Sequence, residues 1–289
     1  MDQGNIDLYS RFVKNKQIPM EVRRNCQDSR QLEELVNVIM EMADDRETHV
    51  TLDSWHQFLD LITHIDCVLS VEAVERHNCS LLVRLVQHLQ VETSWRKRKP
   101  ILQILYHVLQ LKETFLNVAL DSVLPEELVR DIQMTRHQDQ DPDRLFWSAR
   151  VLTVALCSPQ RISYSQRIEL GEDFVTFLLQ LLESESVSIA TNDDQDDHNL
   201  ASAIFNLVLA LQRQFHMSSP EDNSPVLTSL AKRNMSDRLV EKLIVFYNRE
   251  GSSGGPNLYH DIFLLITPFP YSYSLTPKFS NYNSSLMRY

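Results

Sequence analysis

Leu200-Ala-Ser-Ala-Ile-Phe-Asn-Leu-Val-Leu-Ala-Leu-Gln-Arg-Gln-Phe215 is the stretch on which the fold turns. Ala201, Ile204, Phe205, Val208 and Leu211 recur at steps of three and four, so a 3.6-residue period gathers them on one face. No glycine or proline interrupts the run. The spacing predicts an amphipathic helix whose stability comes from a partner covering that face. Asn199 and Asn206 lie seven residues apart along its edge. An inward asparagine must be hydrogen-bonded, so a structural ladder and a share in a binding groove are both open readings.

The same pattern recurs in both directions. Towards the C-terminus it runs through Leu239, Leu243 and Phe246. Towards the N-terminus it runs through Phe174, Phe177, Leu178 and Leu181, and before that Leu145, Ala149, Leu152 and Leu156. Further stripes are Ile101, Leu102, Leu105, Val108 and Leu109, then Leu81, Leu82, Leu85, Val86 and Leu89. Trp55, Phe58, Leu59 and Ile62 follow a helix start expected at Thr51 or Asp53, and Leu32, Leu35, Val36, Ile39 and Met42 form the first stripe. Asp141-Pro142, Ser224-Pro225 and Leu124-Pro125-Glu126-Glu127 place proline where a first-turn N–H needs no partner. Asp141 and Ser224 suit the N-cap, and the acids after Pro125 and Gly171 suit the positive end of the helix dipole. The fold class expected is all-α, with about ten or eleven helices stacked as an armadillo/HEAT-like α-solenoid and followed by a non-helical C-terminal tail. No strict motif repeats at a period near 40 residues, so helix number and length carry the solenoid expectation.

Composition points the same way. The 289 residues hold five glycines, and only Gly171 falls between residues 5 and 250. Dinucleotide turns, phosphate loops and tight hairpins need glycine where φ is positive or the backbone approaches a ligand, so those classes are disfavoured. Lys and Arg number 28 against 39 Asp and Glu, a net charge of −11. That field repels phosphate backbones, and no nucleic-acid partner is expected. No window of about eighteen apolar residues exists, so no membrane span is expected. The polar residues 1–29 read as a loose arm or a partial helix, and residues 30–250 as the helical domain. Residues 251–289 hold three of the five glycines and five of the nine tyrosines. Their irregular pattern reads as a disordered tail, a partner-binding segment or sequence foreign to the domain.

Several local features invite chemistry. Asn192-Asp-Asp-Gln-Asp-Asp-His-Asn199 is acidic, but from Asp194 the sixth and twelfth calcium-loop positions fall on Asn199 and Phe205, not on glycine and glutamate. An acidic helix start is the plainer reading. Arg96-Lys-Arg-Lys-Pro100 fits an import signal or an anionic-lipid patch, with a solvated helix face preferred. The ten histidines show no HExxH and no zinc spacing, so no metal or cofactor is expected. His56 and His64 lie eight residues apart with no acid in a ligand-like place. Cys26, Cys67, Cys79 and Cys157 lack CxxC spacing and read as reduced core thiols. With no GxSxG elbow and no strands to present one, an enzyme is not expected.

The segment Asn192–Phe215 and the later Leu239-Val-Glu-Lys-Leu-Ile-Val-Phe-Tyr-Asn-Arg-Glu250 together carry a resemblance. An acidic cluster, an asparagine, a Leu-rich helix ending in Gln-Phe and a later helix ending in Asn-Arg resemble the leucine-rich domain of the Nck-interacting protein with Src-homology-3 domain. The family includes fungal Dip and Ldb-type relatives. The resemblance implies an armadillo-like solenoid that binds the Arp2/3 complex and activates it without a pre-existing filament, seeding linear actin filaments. It implies a cytoplasmic location at the cortical actin cytoskeleton. The partner-binding candidates it marks are Asp194, Asp197, Asn199, Arg213, Asn248 and Arg249. Nothing in these residues resembles the Src-homology-3 domain or proline-rich linker of the animal members. Contacts of full-length relatives with Src-homology-3 adaptors or endocytic proteins are therefore not carried over. The pattern stops after Glu250, where the family domain continues through further helices. The alternative function is a generic armadillo-like adaptor that binds an extended peptide or a partner helix.

Overall fold

The computed structural model describes Asn37 and residues 48–64, 67–134, 142–184, 200–218 and 225–232. These residues form helices α1 (Thr48–His64), α2 (Cys67–Val91), α3 (Trp95–Leu111), α4 (Glu113–Leu120) and α5 (Leu124–Met134). They continue with α6 (Pro142–Leu156), α7 (Tyr164–Glu169), α8 (Glu172–Glu183), α9 (Leu200–Ser218) and α10 (Pro225–Lys232). No strand occurs among the described residues. The fold is all-α over that range.

The apolar stripes are the core. In α9, Ala201, Ile204, Phe205, Val208 and Leu211 are all sealed from solvent. So are the stripes through Leu82 in α2, Leu105 in α3, Leu152 in α6 and Leu178 in α8, within one apolar cluster running from Trp55 to Val226. Burying a leucine or phenylalanine contributes about 1.5–3 kcal/mol, so these faces fix which side of each helix turns inward. The first and last stripes, around Leu35 and Leu243, lie outside the described residues, as does the tail from residue 251.

Proline and acidic starts appear where their chemistry places them. Pro142 and Pro225 open α6 and α10, and Glu126 and Glu127 occupy the first turn of α5. Asp141 and Ser224 fall outside the described residues. Ser122 marks the start of α5: its Oγ accepts from the Leu124 N–H at 3.1 Å and donates to the Ala119 carbonyl at 2.6 Å. Gly171 precedes α8 at φ −73°, a value open to any residue, with Glu172 and Asp173 in the first turn.

Two expectations are corrected. Helix α1 is already helical at Thr48, about one turn before the start expected at Thr51 or Asp53. Cys157 is exposed in the turn after α6 and is not a core thiol, whereas Cys79 is half-buried against the core; both are free. Cys79 has φ 60°, the left-handed region, and departs from regular helix geometry within α2. Two helices carry no long stripe in the sequence. Short α4 buries Phe115, Ala119 and Leu120 after extended Lys112 breaks it from α3, and α7 has six residues.

The packing order places everything that follows. Helix α1 packs on α3, α3 on α6 and α6 on α9, so alternate long helices lie against one another in chain order. Behind them α2 packs on α3, α5 on α6 and α8 on α9, with α4 touching α2, α3, α5 and α6. Helix α10 closes on α8 and α9, where Thr176 Oγ1 and Ser229 Oγ lie 3.1 Å apart.

Candidate functional site

Polar side chains gather at three places, and their burial separates structural work from contact with other molecules. The first is the basic run. Arg98 is 4% exposed, because the third residue of the run falls on the inward face of α3. Its Nη1 donates to the carbonyls of Leu89 and Glu92 (2.7 Å to the latter) at the end of α2, where helix carbonyls lack partners. Its Nη2 meets Asp131 Oδ2 of α5 at 2.6 Å, and Arg144 of α6 takes the other oxygen at 2.7 Å. Asp131 is 3% exposed, so one buried carboxylate ties two arginines and holds α3, α5 and α6 together. Lys97 pairs with Glu92 at 3.6 Å and Lys99 with Asp143. The expectation of a solvated basic face is therefore wrong for Arg98. A period-3.6 projection would have placed Arg98 with Ile101, Leu102 and Leu105, three, four and seven residues on.

The second place is the end of the Leu-rich helix. Gln214 is fully buried, and its Nε2 donates to the carbonyls of Leu156 and Ser158 at 2.8 and 2.7 Å. It thus closes the C-terminal end of α6 from a helix more than fifty residues away in sequence. Phe215 beside it is buried in the core. The Gln-Phe pair of the resemblance therefore holds the fold and does not face a partner. Arg213, the candidate between them and Leu211, is half-buried on α9 and close enough to Cys157 for its charge to act on that thiol. Although Cys157 reaches the surface, the protein packed around it desolvates the thiolate and pushes its pKa up, and Arg213 partly opposes this.

The third place is a surface groove of about 290 Å³ where α1, α3 and α6 meet. Helix α1 contributes His56, Leu59, Asp60 and Thr63, α3 contributes Gln103 and His107, and α6 contributes Trp147. Positions 56, 60 and 63 share a helix face, as do 103 and 107, so two polar rows flank one aromatic floor. Thr63 Oγ1 donates back to the Leu59 and Asp60 carbonyls at 2.9 and 3.1 Å. Trp147 is held edge-on between Tyr106 and Phe146, with ring centroids 6.0 and 5.3 Å away. Arg150 braces these rings: its guanidinium stands 4.4 Å from the Tyr106 centroid, and Nη2 donates to the Tyr106 hydroxyl at 2.6 Å. Burial, with Arg150 as the second cause, pushes the His107 pKa below its ordinary 6.5 and keeps the imidazole neutral at neutral pH.

No group of three or more His, Cys, Asp or Glu among the described residues is placed to hold a metal. Of the six partner-binding candidates, only Arg213 lies among the described residues; Asp194, Asp197, Asn199, Asn248 and Arg249 lie outside them. The groove carries none of the six. It was missed because its polar rows belong to helices at least forty residues apart in sequence, and the His56–Asp60 spacing was its one local signal. No family model matches the chain.

Proposed function

We propose that the chain is a non-enzymatic, protein-binding helical scaffold that binds and activates the Arp2/3 complex, seeding linear actin filaments at the cell cortex. The observation that carries the reading is the packing of α1 on α3, α3 on α6 and α6 on α9. Helices placed side by side in chain order are the arrangement an armadillo-like α-solenoid requires, and they offer a continuous stiff surface. The Leu-rich segment of the resemblance belongs to that row, as α9. Its Gln214 and Phe215 anchor it to the neighbouring helix. A stiff surface of this kind acts by differential binding: it contacts the active arrangement of the two actin-related subunits better than the inactive one and shifts their equilibrium.

The test is retention of purified Arp2/3 complex on the immobilised full chain, with and without substitution of the marked residues. Asp194→Ala, Asp197→Ala, Arg213→Ala and Arg249→Ala in one chain should weaken retention while thermal unfolding stays cooperative. A folded chain that retains no complex contradicts the proposal. The second reading, an adaptor without nucleating activity, is favoured by the groove at Trp147, whose lining contains none of the residues marked by the resemblance. Retention of the complex without filament seeding would select it.

A further inference from the structure

We propose that Met134 is an oxidant-responsive modification site: peroxide converts its thioether to the sulfoxide, whose oxygen accepts a hydrogen bond from Arg144 and ties α5 more firmly to α6. The inference stands apart from the scaffold reading and uses none of the residues marked by the resemblance.

Met134 is the last residue of α5 and is 46% exposed, so a small oxidant can approach it. Its sulfur, a weak acceptor, lies 3.6 Å from Arg144 Nη2 of α6. The same Nη2 donates to Asp131 Oδ1 at 2.7 Å, while Arg98 Nη2 holds Oδ2 at 2.6 Å. This junction is rich in donors and poor in acceptors. Two guanidinium groups share one carboxylate, and the Nε atoms of Arg98 and Arg144 are buried with no acceptor among the described residues. Each Nη carries two N–H groups, so a bond from Arg144 to residue 134 need not displace Asp131. Oxidation supplies the acceptor that the junction lacks. A sulfur lone pair attacks one oxygen of hydrogen peroxide, and the S–O bond forms as the O–O bond breaks. The departing hydroxide takes the proton of the transferred oxygen and leaves as water, so sulfur is oxidised and the peroxide reduced. The product is a polar side chain whose oxygen can reach the guanidinium beside it. A sulfoxide in a core disrupts packing, but the exposure of Met134 spares that cost, and the charge-assisted hydrogen bond is the larger effect. Methionine sulfoxide reductases reverse the step, so the site can cycle.

The experiment treats the full chain with hydrogen peroxide, maps sulfoxide at Met134 by peptide mass spectrometry, and measures Tm before and after. Met134→Leu is treated in parallel, and comparing the two changes removes the contribution of the other seven of the eight methionines. The expected result is sulfoxide at Met134 in the folded chain, with a change in Tm about 2 °C more positive than that of Met134→Leu. Treatment with the two reductases, one for each sulfoxide epimer, should abolish that difference. Met134→Gln places an amide oxygen near the same position without any oxidant and should exceed Met134→Leu in Tm by a similar amount. This variant carries the test if the oxidised chain aggregates. In an Arg144→Met background, where the Arg98–Asp131 pair remains, the gain of Met134→Gln over Met134→Leu should vanish. Three results overturn the proposal: Met134 left unoxidised, a change in the unsubstituted chain equal to or below that of Met134→Leu, or a Met134→Gln gain that survives Arg144→Met.

Discussion

Two polar clusters sit less than one helix apart on α3 and α6, and they serve opposite ends. At the Arg98–Asp131–Arg144 junction every charged group faces protein, and Arg98 and Asp131 are nearly sealed. At the groove, His56, Asp60, Thr63 and Gln103 keep contact with solvent, and only the Trp147 floor is buried. The contrast teaches where to look for function in a helical protein. Buried polar groups that bond to one another set the angles between helices, and partly exposed ones of mixed chemistry line the surface. The comparison also corrects the first impression given by the basic run, which looked like surface although Arg98 is buried.

The sharpest way to break the comparison is at Asp131. Asp131→Asn removes the charge between two arginines and should destabilise the fold by about 3–5 kcal/mol, because an uncompensated buried cation is left behind. Urea unfolding followed by circular dichroism reads this directly. A loss below about 1 kcal/mol would mean the junction is not the keystone described. Next in size, Gln214→Ala strips two donors from the end of α6 and should cost about 1–3 kcal/mol. Partner retention should fall only in proportion to the folded fraction. A complete loss of retention with an intact fold would return Gln214 to the binding surface.

Smaller effects are expected at Glu126 in α5 and at His56 in the groove. Glu126→Gln should stabilise the protein slightly at neutral pH, on the order of a degree in Tm. Burial raises the Glu126 carboxyl above its ordinary 4.5, its own backbone hydrogen bond opposes this, and Glu169 and Glu127 raise it further. A raised folded-state pKa means ionisation favours unfolding, so the penalty is present above that raised value and vanishes as pH falls to the unfolded value. The gain from the substitution should therefore disappear on acidification; a gain that persists below pH 4 contradicts the cause given. Smallest of all, His56→Ala on the exposed face of α1 should change stability by no more than about 0.5 kcal/mol. Thermal unfolding checks this, and a larger loss would make His56 part of the fold and weaken the case for an open groove.

The all-helical class and the inward faces were legible because both follow from local spacing. Ile204, Phe205 and Val208 point inward in the structure as their 3.6-residue period requires. Proline starts at Pro142 and Pro225 were legible for the same local reason. Arg98 was not, because the partner that compensates its charge, Asp131, lies 33 residues on in a different helix. Gln214 likewise meets carbonyls 58 and 56 residues earlier, a separation no window can span. The groove needs α1, α3 and α6 to be adjacent, which only the packing order provides. Short α4 lacked enough turns to show a stripe at all.

The central proposal is that this chain binds the Arp2/3 complex and activates it without a mother filament. Pyrene-actin polymerisation with purified Arp2/3 complex, the full chain and no other activator tests it most directly, with single filaments imaged in parallel. The account predicts a shortened lag that scales with the concentration of the chain, and filaments that begin as unbranched lines. A lag unchanged at saturating concentrations of folded chain would contradict it.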